Sequence, residues 1–298
     1  MTHRTIFGRL IVLLLLPACM TDHVSATVMT EWIVVGDPGN ADHTVKQADG
    51  TSGYGAVDYV YQMGKYEVTN SQYTEFLNAV ASTDTNALYW THMQSKAWGG
   101  ILRSGSSGSY MYSVKPNMGN KPVNYVTWHD AARYTNWLHN DQPVGMQDAT
   151  TTEDGAYTFI GFETNAPRNP DAQVFIPSEH EWHKAAFYQP GAVTSDGDEW
   201  WYYPTASDTL PLQAVADVNG DVRNPGPTVV NFFHGAGWNG QISGNVTTVG
   251  SAGNSTYYGA EDVGGNVFEW TTADPNKPDP FQVCKRRSKS AALITLTR

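Results

Sequence analysis

Apolar positions recur at helical spacing in three places along the chain. Tyr73, Phe76, Leu77 and Val80 fall at i, i+3, i+4 and i+7 behind Thr69 and Asn70, both good capping types, and predict a first helix. Trp128, Ala131, Thr135 and Leu138 form a second stripe behind Thr127, with Asp130 in the first turn, where a negative charge suits the helix dipole. A third helix opens at Ser178, which forms an S-x-x-E capping box with Glu181; Trp182, Ala185 and Ala186 give its buried side. Thr30 to Val35 reads as a strand, followed by a turn over Gly36 to Asn40, and Val57 to Tyr66 reads as a strand pair entering the first helix. Elsewhere the periodicity fails. Ser104 to Ser109 is Gly/Ser-rich, Asp148 to Gly155 is polar, and residues 189–262 mix Gly, Pro, Asn and Asp with scattered aromatics. So long an irregular stretch is uncommon in a compact domain. Aromatic side chains pinning the loops and bound cations replacing a missing core are the two ways to hold it. No internal repeat of constant period is present.

Composition supports a packed rather than a disordered chain. Of 298 residues, 40% are hydrophobic, 12% aromatic and 16% charged, with 10 Trp and 16 Tyr. The net charge of -11 argues against a nucleic-acid binder that works by backbone electrostatics. The two cysteines allow at most one disulfide. Charge is uneven: residues 277–298 carry six Lys or Arg against Asp279 alone, a tail of +5 on a remainder of -16.

The N-terminus has the form of an export signal. Arg4 and Arg9 precede the apolar run Leu10 to Leu16, and Val24-Ser25-Ala26 places small residues at a cleavage site after Ala26. The run is short for a transmembrane helix. A lipoprotein cut before Cys19 is the other reading, weakened by Pro17. Cleavage after Ala26 predicts a mature chain from residue 27, secreted, periplasmic or at the cell surface, with Cys284 as its one thiol. No later segment is long and apolar enough to span a membrane.

Several constellations carry candidate chemistry. In Asp262-Val263-Gly264-Gly265-Asn266-Val267-Phe268-Glu269-Trp270, two acids flank a Gly-Gly turn. By spacing alone this is either a solvated surface turn, the commoner case, or a hard-oxygen cage of the kind calcium prefers, in which the glycines let the backbone fold tightly. His180-Glu181-Trp182-His183 places its histidines at i and i+3, one short of the zinc-protease spacing, and Glu181 is better used as a cap. Gly105-Ser106-Ser107-Gly108 is no nucleophile elbow and reads as loop. Cys284 lies beside Lys285, Arg286 and Arg287, a setting that lowers a thiol pKa, but without a motif it reads as an incidental tail cysteine. Trp98, Trp200, Trp201 and Trp238 are candidate ligand contacts, with core packing the commoner role for tryptophan.

Four stretches, in this order, resemble the formylglycine-generating enzyme family, also called the sulfatase-modifying factor domain. They are Met63 to Asn70, Pro122 to Trp128 running into Asp130-Ala131-Ala132, Ile176 to Trp182 with Lys184-Ala185-Ala186, and Gly264 to Trp270. The likeness covers about residues 32–272 and looks closest to an exported bacterial branch. It implies an α+β, loop-rich fold of C-type-lectin-like topology with structural calcium. By the family pattern, Asp262 and Glu269 give side-chain oxygens, and Gly265 and Val267 give carbonyls. A second calcium site would use the Asn231 side chain and the Phe232 carbonyl, with Asn245 as the nearest candidate for its acidic partner.

The resemblance also implies what this chain lacks. Active relatives oxidise a cysteine in a sulfatase peptide, using copper held by two cysteines well downstream of the Gly-Asn-Val-x-Glu-Trp stretch. Here the likeness stops after Thr272 and composition turns basic. The expected layout is therefore a leader over 1–26, a sulfatase-modifying-factor-like domain over 27–272, and a divergent or frame-shifted basic tail over 273–298. Losing the family's last strand is expected to leave a sheet edge unpaired. Two functional classes follow. One is a non-catalytic, calcium-stabilised module, monomeric, that binds a protein or polysaccharide. The other is an oxidoreductase of the copper-dependent type whose catalytic end is lost or supplied elsewhere.

Overall fold

The computed structural model describes residues 27–45, 52–159, 166–233, 235–272 and 298. The expected leader, Cys19, Cys284 and nearly all of the basic tail lie outside the described residues. Within them the architecture is mixed α+β. Its sheets are three two-stranded pairs. β1 (Trp32–Val35) runs antiparallel to β2 (Tyr61–Gly64), with Trp32 opposite Gly64 and Val35 opposite Tyr61. β3 (Ile101–Ser104) and β4 (Met111–Val114) form an antiparallel hairpin. β5 (Leu212–Gln213) and β6 (Val229–Val230) pair in parallel. The Gly/Ser-rich segment read as loop is the tip of the β3–β4 hairpin, where Gly105 and Gly108 take φ of 82° and 94°.

The three helices form where the sequence places them. α1 (Asn70–Val80) starts at Thr69, whose hydroxyl accepts from the Gln72 N–H while the Gln72 side chain accepts from the Thr69 N–H. Tyr73, Phe76, Leu77 and Val80 are all buried. A single-turn helix, α2 (His92–Ser95), lies between α1 and β3 and carries no sequence signal of its own. In α3 (Trp128–His139) Asp130 closes a full capping box with Thr127, a stronger role than dipole complement alone. Its buried row is Ala131, Tyr134, Thr135 and Trp137; Trp128 and Leu138 are only half-buried, at the edges of the predicted stripe. α4 (Glu179–Phe187) has the predicted Ser178–Glu181 box.

Two apolar clusters dominate. In the larger, Tyr73 and Phe76 of α1 meet Tyr134 and Trp137 of α3, with Phe76 5.3 Å from both Tyr134 and Trp137 between ring centroids. In the second, Val35, Tyr61 and Met63 of the β1–β2 pair pack on Trp182, Ala185 and Ala186 of α4, together with Val263. That last contact holds the 262–270 loop against α4 and β2.

Among the described residues of 189–262, β5 and β6 are the only helices or strands, as the lack of periodicity predicts. The outer edge of β2 does not stand wholly open. Gln62 exchanges both backbone hydrogen bonds with Arg298, at 2.8 and 2.9 Å, and the Arg298 guanidinium lies over the Trp32 ring.

Glu181 shows how much one capping residue carries. It is fully buried; besides capping α4 it pairs with Arg168 at 3.0 and 3.1 Å and accepts from the Tyr59 hydroxyl at 2.7 Å. Removing one partner of such a network strands the other. Glu181→Ala is therefore expected to lower stability by about 3 kcal/mol or more, read as a loss of thermal midpoint, with Glu181→Gln falling between it and wild type.

Candidate functional site

The loop over residues 262–270 is built by close approach. A Cβ on Gly264 would sit 2.5 Å from Pro204 Cγ, and one on Gly265 would sit 2.5 Å from the Asn231 carbonyl oxygen and 2.6 Å from Val230 Cγ1. Neither glycine takes a positive φ. The left-handed positions are Asp262, at 61°, and Asn266, at 55°. The Gly-Gly pair is thus needed for space rather than for backbone freedom, and Asp and Asn, the types that tolerate that region best, make the turns.

Asn266 ties this loop to the rest of the molecule. Its N–H donates to the Asn231 carbonyl at 2.7 Å. Its Oδ1 accepts from the Thr247 N–H at 2.8 Å and from Asn231 Nδ2 at 3.2 Å. Its Nδ2 donates to the Thr247 carbonyl and to Glu67 Oε2, both at 3.2 Å. One amide side chain therefore joins the segment before α1, the 231–247 loops and the Gly-Gly turn.

The structure brings three acids into this region, one more than the sequence pattern assigns. Asp262 is buried; its Oδ2 accepts from the Gly250 N–H at 2.6 Å, and burial pushes its carboxyl up to about 7. Glu269 is buried and accepts from the Trp182 indole N–H. Glu67, just before α1, is 3% exposed; Oε2 has its bond from Asn266, and Oε1 has no hydrogen-bond partner. Burial raises the Glu67 carboxyl well above the ordinary range, and the charges of Asp262 and Glu269 raise it further. Among the described residues no basic side chain forms an ion pair with Glu67 or Asp262.

Buried carboxylates without a cationic partner are costly unless they ionise against a metal or stay protonated. Hard oxygens in this setting fit calcium chemistry. Among the described residues no three His, Cys, Asp or Glu side chains converge as one ligand group. The side chains of this loop that could contribute to holding a cation are the Asp262 and Glu269 carboxylates.

Asn231, Phe232 and Asn245 do meet, but as a hydrogen-bonded cluster. Asn231 Nδ2 donates to the Asn245 carbonyl at 2.9 Å, and its Oδ1 accepts from the Ala236 N–H at 3.2 Å. The Phe232 carbonyl accepts from the Gly235 N–H at 3.1 Å, and Asn245 Oδ1 accepts from the Val246 N–H at 2.9 Å. These oxygens already serve backbone donors, and among the described residues no carboxylate is hydrogen-bonded to them. The set fits a structural cross-link better than a second cation cage.

The histidines of the third helix are packed rather than poised for zinc. His183 Nε2 lies 3.0 Å from His43 Nδ1, and His43 stacks on Trp200 with ring centroids 5.0 Å apart. Burial, then the neighbouring His43 and His180, pushes His183 down to about 3. Of the four candidate tryptophans, Trp200 and Trp238 are buried. Trp98 and Trp201 are half-buried, with their N–H groups bonded to the Gly244 carbonyl and the Gln189 side chain. The exposed indole is Trp90, 47% accessible and edge-on to Tyr125.

Comparison with known proteins adds a family. The sulfatase-modifying factor enzyme 1-like domain model matches residues 29–289. Among solved structures, CarF is similar at 16% identity and a TM-score of 0.42, covering 91% of this chain and 98% of its own. Treponema denticola variable protein 1 is similar at 12% identity and a TM-score of 0.36, covering 92% of this chain and 97% of its own. No curated protein matches the sequence.

The central place of Asn266 is testable. Asn266→Ala removes both side-chain functions from a part-buried network and puts a Cβ-only residue at a left-handed position, which is expected to cost about 2 kcal/mol. A denaturant titration should show the midpoint falling with little change in slope.

Proposed function

The chain belongs to the sulfatase-modifying factor enzyme 1-like family, and from that premise we propose that it is an exported, calcium-stabilised, non-catalytic member. The observation that carries the non-catalytic reading is the thiol count. The sequence has two cysteines, and Cys19 lies in the expected leader, so after cleavage Cys284 has no partner with which to form a copper dithiolate. The family resemblance makes that dithiolate the oxidising centre of active members.

The fold reading within this proposal is C-type-lectin-like topology. Two observations support it: the irregular backbone over residues 188–272 and the small paired sheets. Export is supported by Arg4, Arg9, the Leu10 to Leu16 run and the small residues before Thr27. No helix among the described residues is long and apolar enough to cross a membrane. We take the 273–298 segment, into which the family match extends as far as residue 289, as a divergent or frame-shifted basic tail, and the domain as a monomer that presents its loops to a protein or polysaccharide.

Calcium at Asp262 and Glu269 has a structural role in this reading. In this reading the ion offsets buried negative charge and adds a cross-link to a loop otherwise held by Val263 on α4 and β2 and by Asn266. Asp262 and Glu269 supply the carboxylates, Gly265 and Val267 the carbonyls, and Asn266 between them fixes the loop to Asn231 and Thr247.

Two measurements test the proposal. A sulfatase-motif peptide incubated with the protein, copper and oxygen is expected to keep its thiol by mass spectrometry; conversion to an aldehyde overturns the non-catalytic reading. A ligand that binds only the folded state adds about 2.7 kcal/mol at a hundredfold excess over its dissociation constant. Thermal melts in calcium and in chelator should therefore differ by several degrees, and Glu269→Ala should remove most of that gap. Identical melts on a folded protein would remove calcium from the account.

A further inference from the structure

We propose that Glu67 is a buried carboxylate standing behind the ligands of the Asp262–Glu269 cation site, where it sets the charge around the site and positions the ligand loop through Asn266. The inference rests on the calcium reading above and adds a residue that the family pattern does not place there.

Three observations carry it. First, Glu67 is rigidly held beside the loop. The next residue, Val68, accepts from the Val123 N–H at 2.9 Å, and Thr69 caps α1. Second, its Oε2 accepts from Asn266 Nδ2, and Asn266 lies between Gly265 and Val267 in the chain. A shift of the Glu67 carboxylate therefore moves the backbone whose carbonyls face the cation in this reading. Third, its Oε1 is buried without a partner. A proton on Oε1 would remove the charge but leave a buried hydroxyl with nothing to donate to, so protonation alone does not satisfy the group.

A divalent cation resolves both problems. Calcium takes about six to eight oxygens. Two carboxylates and two carbonyls leave places for water, and a water on the ion is a donor that Oε1 can accept from. The three acids do not converge as one ligand group, so Glu67 acts from behind the ligands as a positioning and charge-setting residue.

The test separates charge from shape. The purified mature chain is titrated with calcium chloride by calorimetry and melted in calcium and in chelator, as wild type, Glu67→Gln and Glu67→Asp. Glu67→Gln keeps the size of the side chain and an oxygen for Asn266 but loses the charge. It is expected to melt above wild type in chelator, because a buried uncompensated carboxylate is gone, and yet to bind calcium weaker on the order of tenfold. Glu67→Asp keeps the charge and is expected to retain affinity closer to wild type. A purely structural role predicts lower stability for Glu67→Gln in both conditions with calcium affinity unchanged, and that result overturns the proposal. Failure of Glu67→Gln to fold in chelator overturns it as well. If wild type itself binds no calcium, the calcium reading fails and this inference with it, an outcome distinct from equal binding by wild type and Glu67→Gln.

Discussion

Peptide N–H and C=O groups that lie outside a helix or a strand ladder still need partners once they are buried, and in this molecule buried asparagine side chains supply them. Asn40 bonds the Gly55 carbonyl and the Val57 N–H. Asn70 Nδ2 reaches the carbonyls of Met118 and Lys121. Asn136 takes the carbonyls of Thr152 and Tyr157 and the Tyr157 N–H. Asn254 takes the Val229 carbonyl. Each amide offers donor and acceptor from one rigid plane, so one side chain can replace a short piece of sheet. Buried Asn231 and half-buried Asn266 use the same device twice in one place, beside the candidate site.

This constraint explains what could be read from the chain before its structure was known. The helices were legible because their signals are local. Thr69, Thr127 and Ser178 each sit three residues before a side chain that bonds back, and the apolar spacing behind them is regular. The predicted stripe on α3 was off-centre for a non-local reason. Tyr134 and Trp137 face α1 across the larger core, and only the partner helix decides which row is buried. The β3–β4 hairpin was hidden because its strands are four residues long and mix exposed with buried positions, while its Gly/Ser tip dominates the local pattern.

The candidate site divides along the same line. Asp262 and Glu269 stand out in the sequence because they flank glycines, and both are buried where that pattern points. Glu67 gives no such signal. It sits in a stretch that reads as a strand leading into a capped helix, and an acid just before a helix is ordinarily solvated. Its burial depends on Asn266, 199 residues away. No local pattern carries that information. The glycines read as a source of backbone freedom, whereas they are needed for space: Pro204, Val230 and Asn231 crowd them, and those neighbours come from elsewhere in the chain.

A loop-built domain of this kind also changes what buried charge means. In a helical bundle, two buried acids such as Glu67 and Asp262, with no ion pair among the described residues, would be a defect, because apolar residues could fill the same space at lower cost. Here the space is lined by backbone carbonyls and amides that need polar neighbours in any case, so acids cost less to accommodate and a cation gains more. The same logic accounts for Glu181, which is buried beside Arg168 and caps α4. Its charge is balanced within the chain, so its position needs no ion. Glu67 and Asp262 lack such a balance among the described residues, and that contrast between two buried acid sites of one molecule is the strongest physical reason to look for a cation at the second.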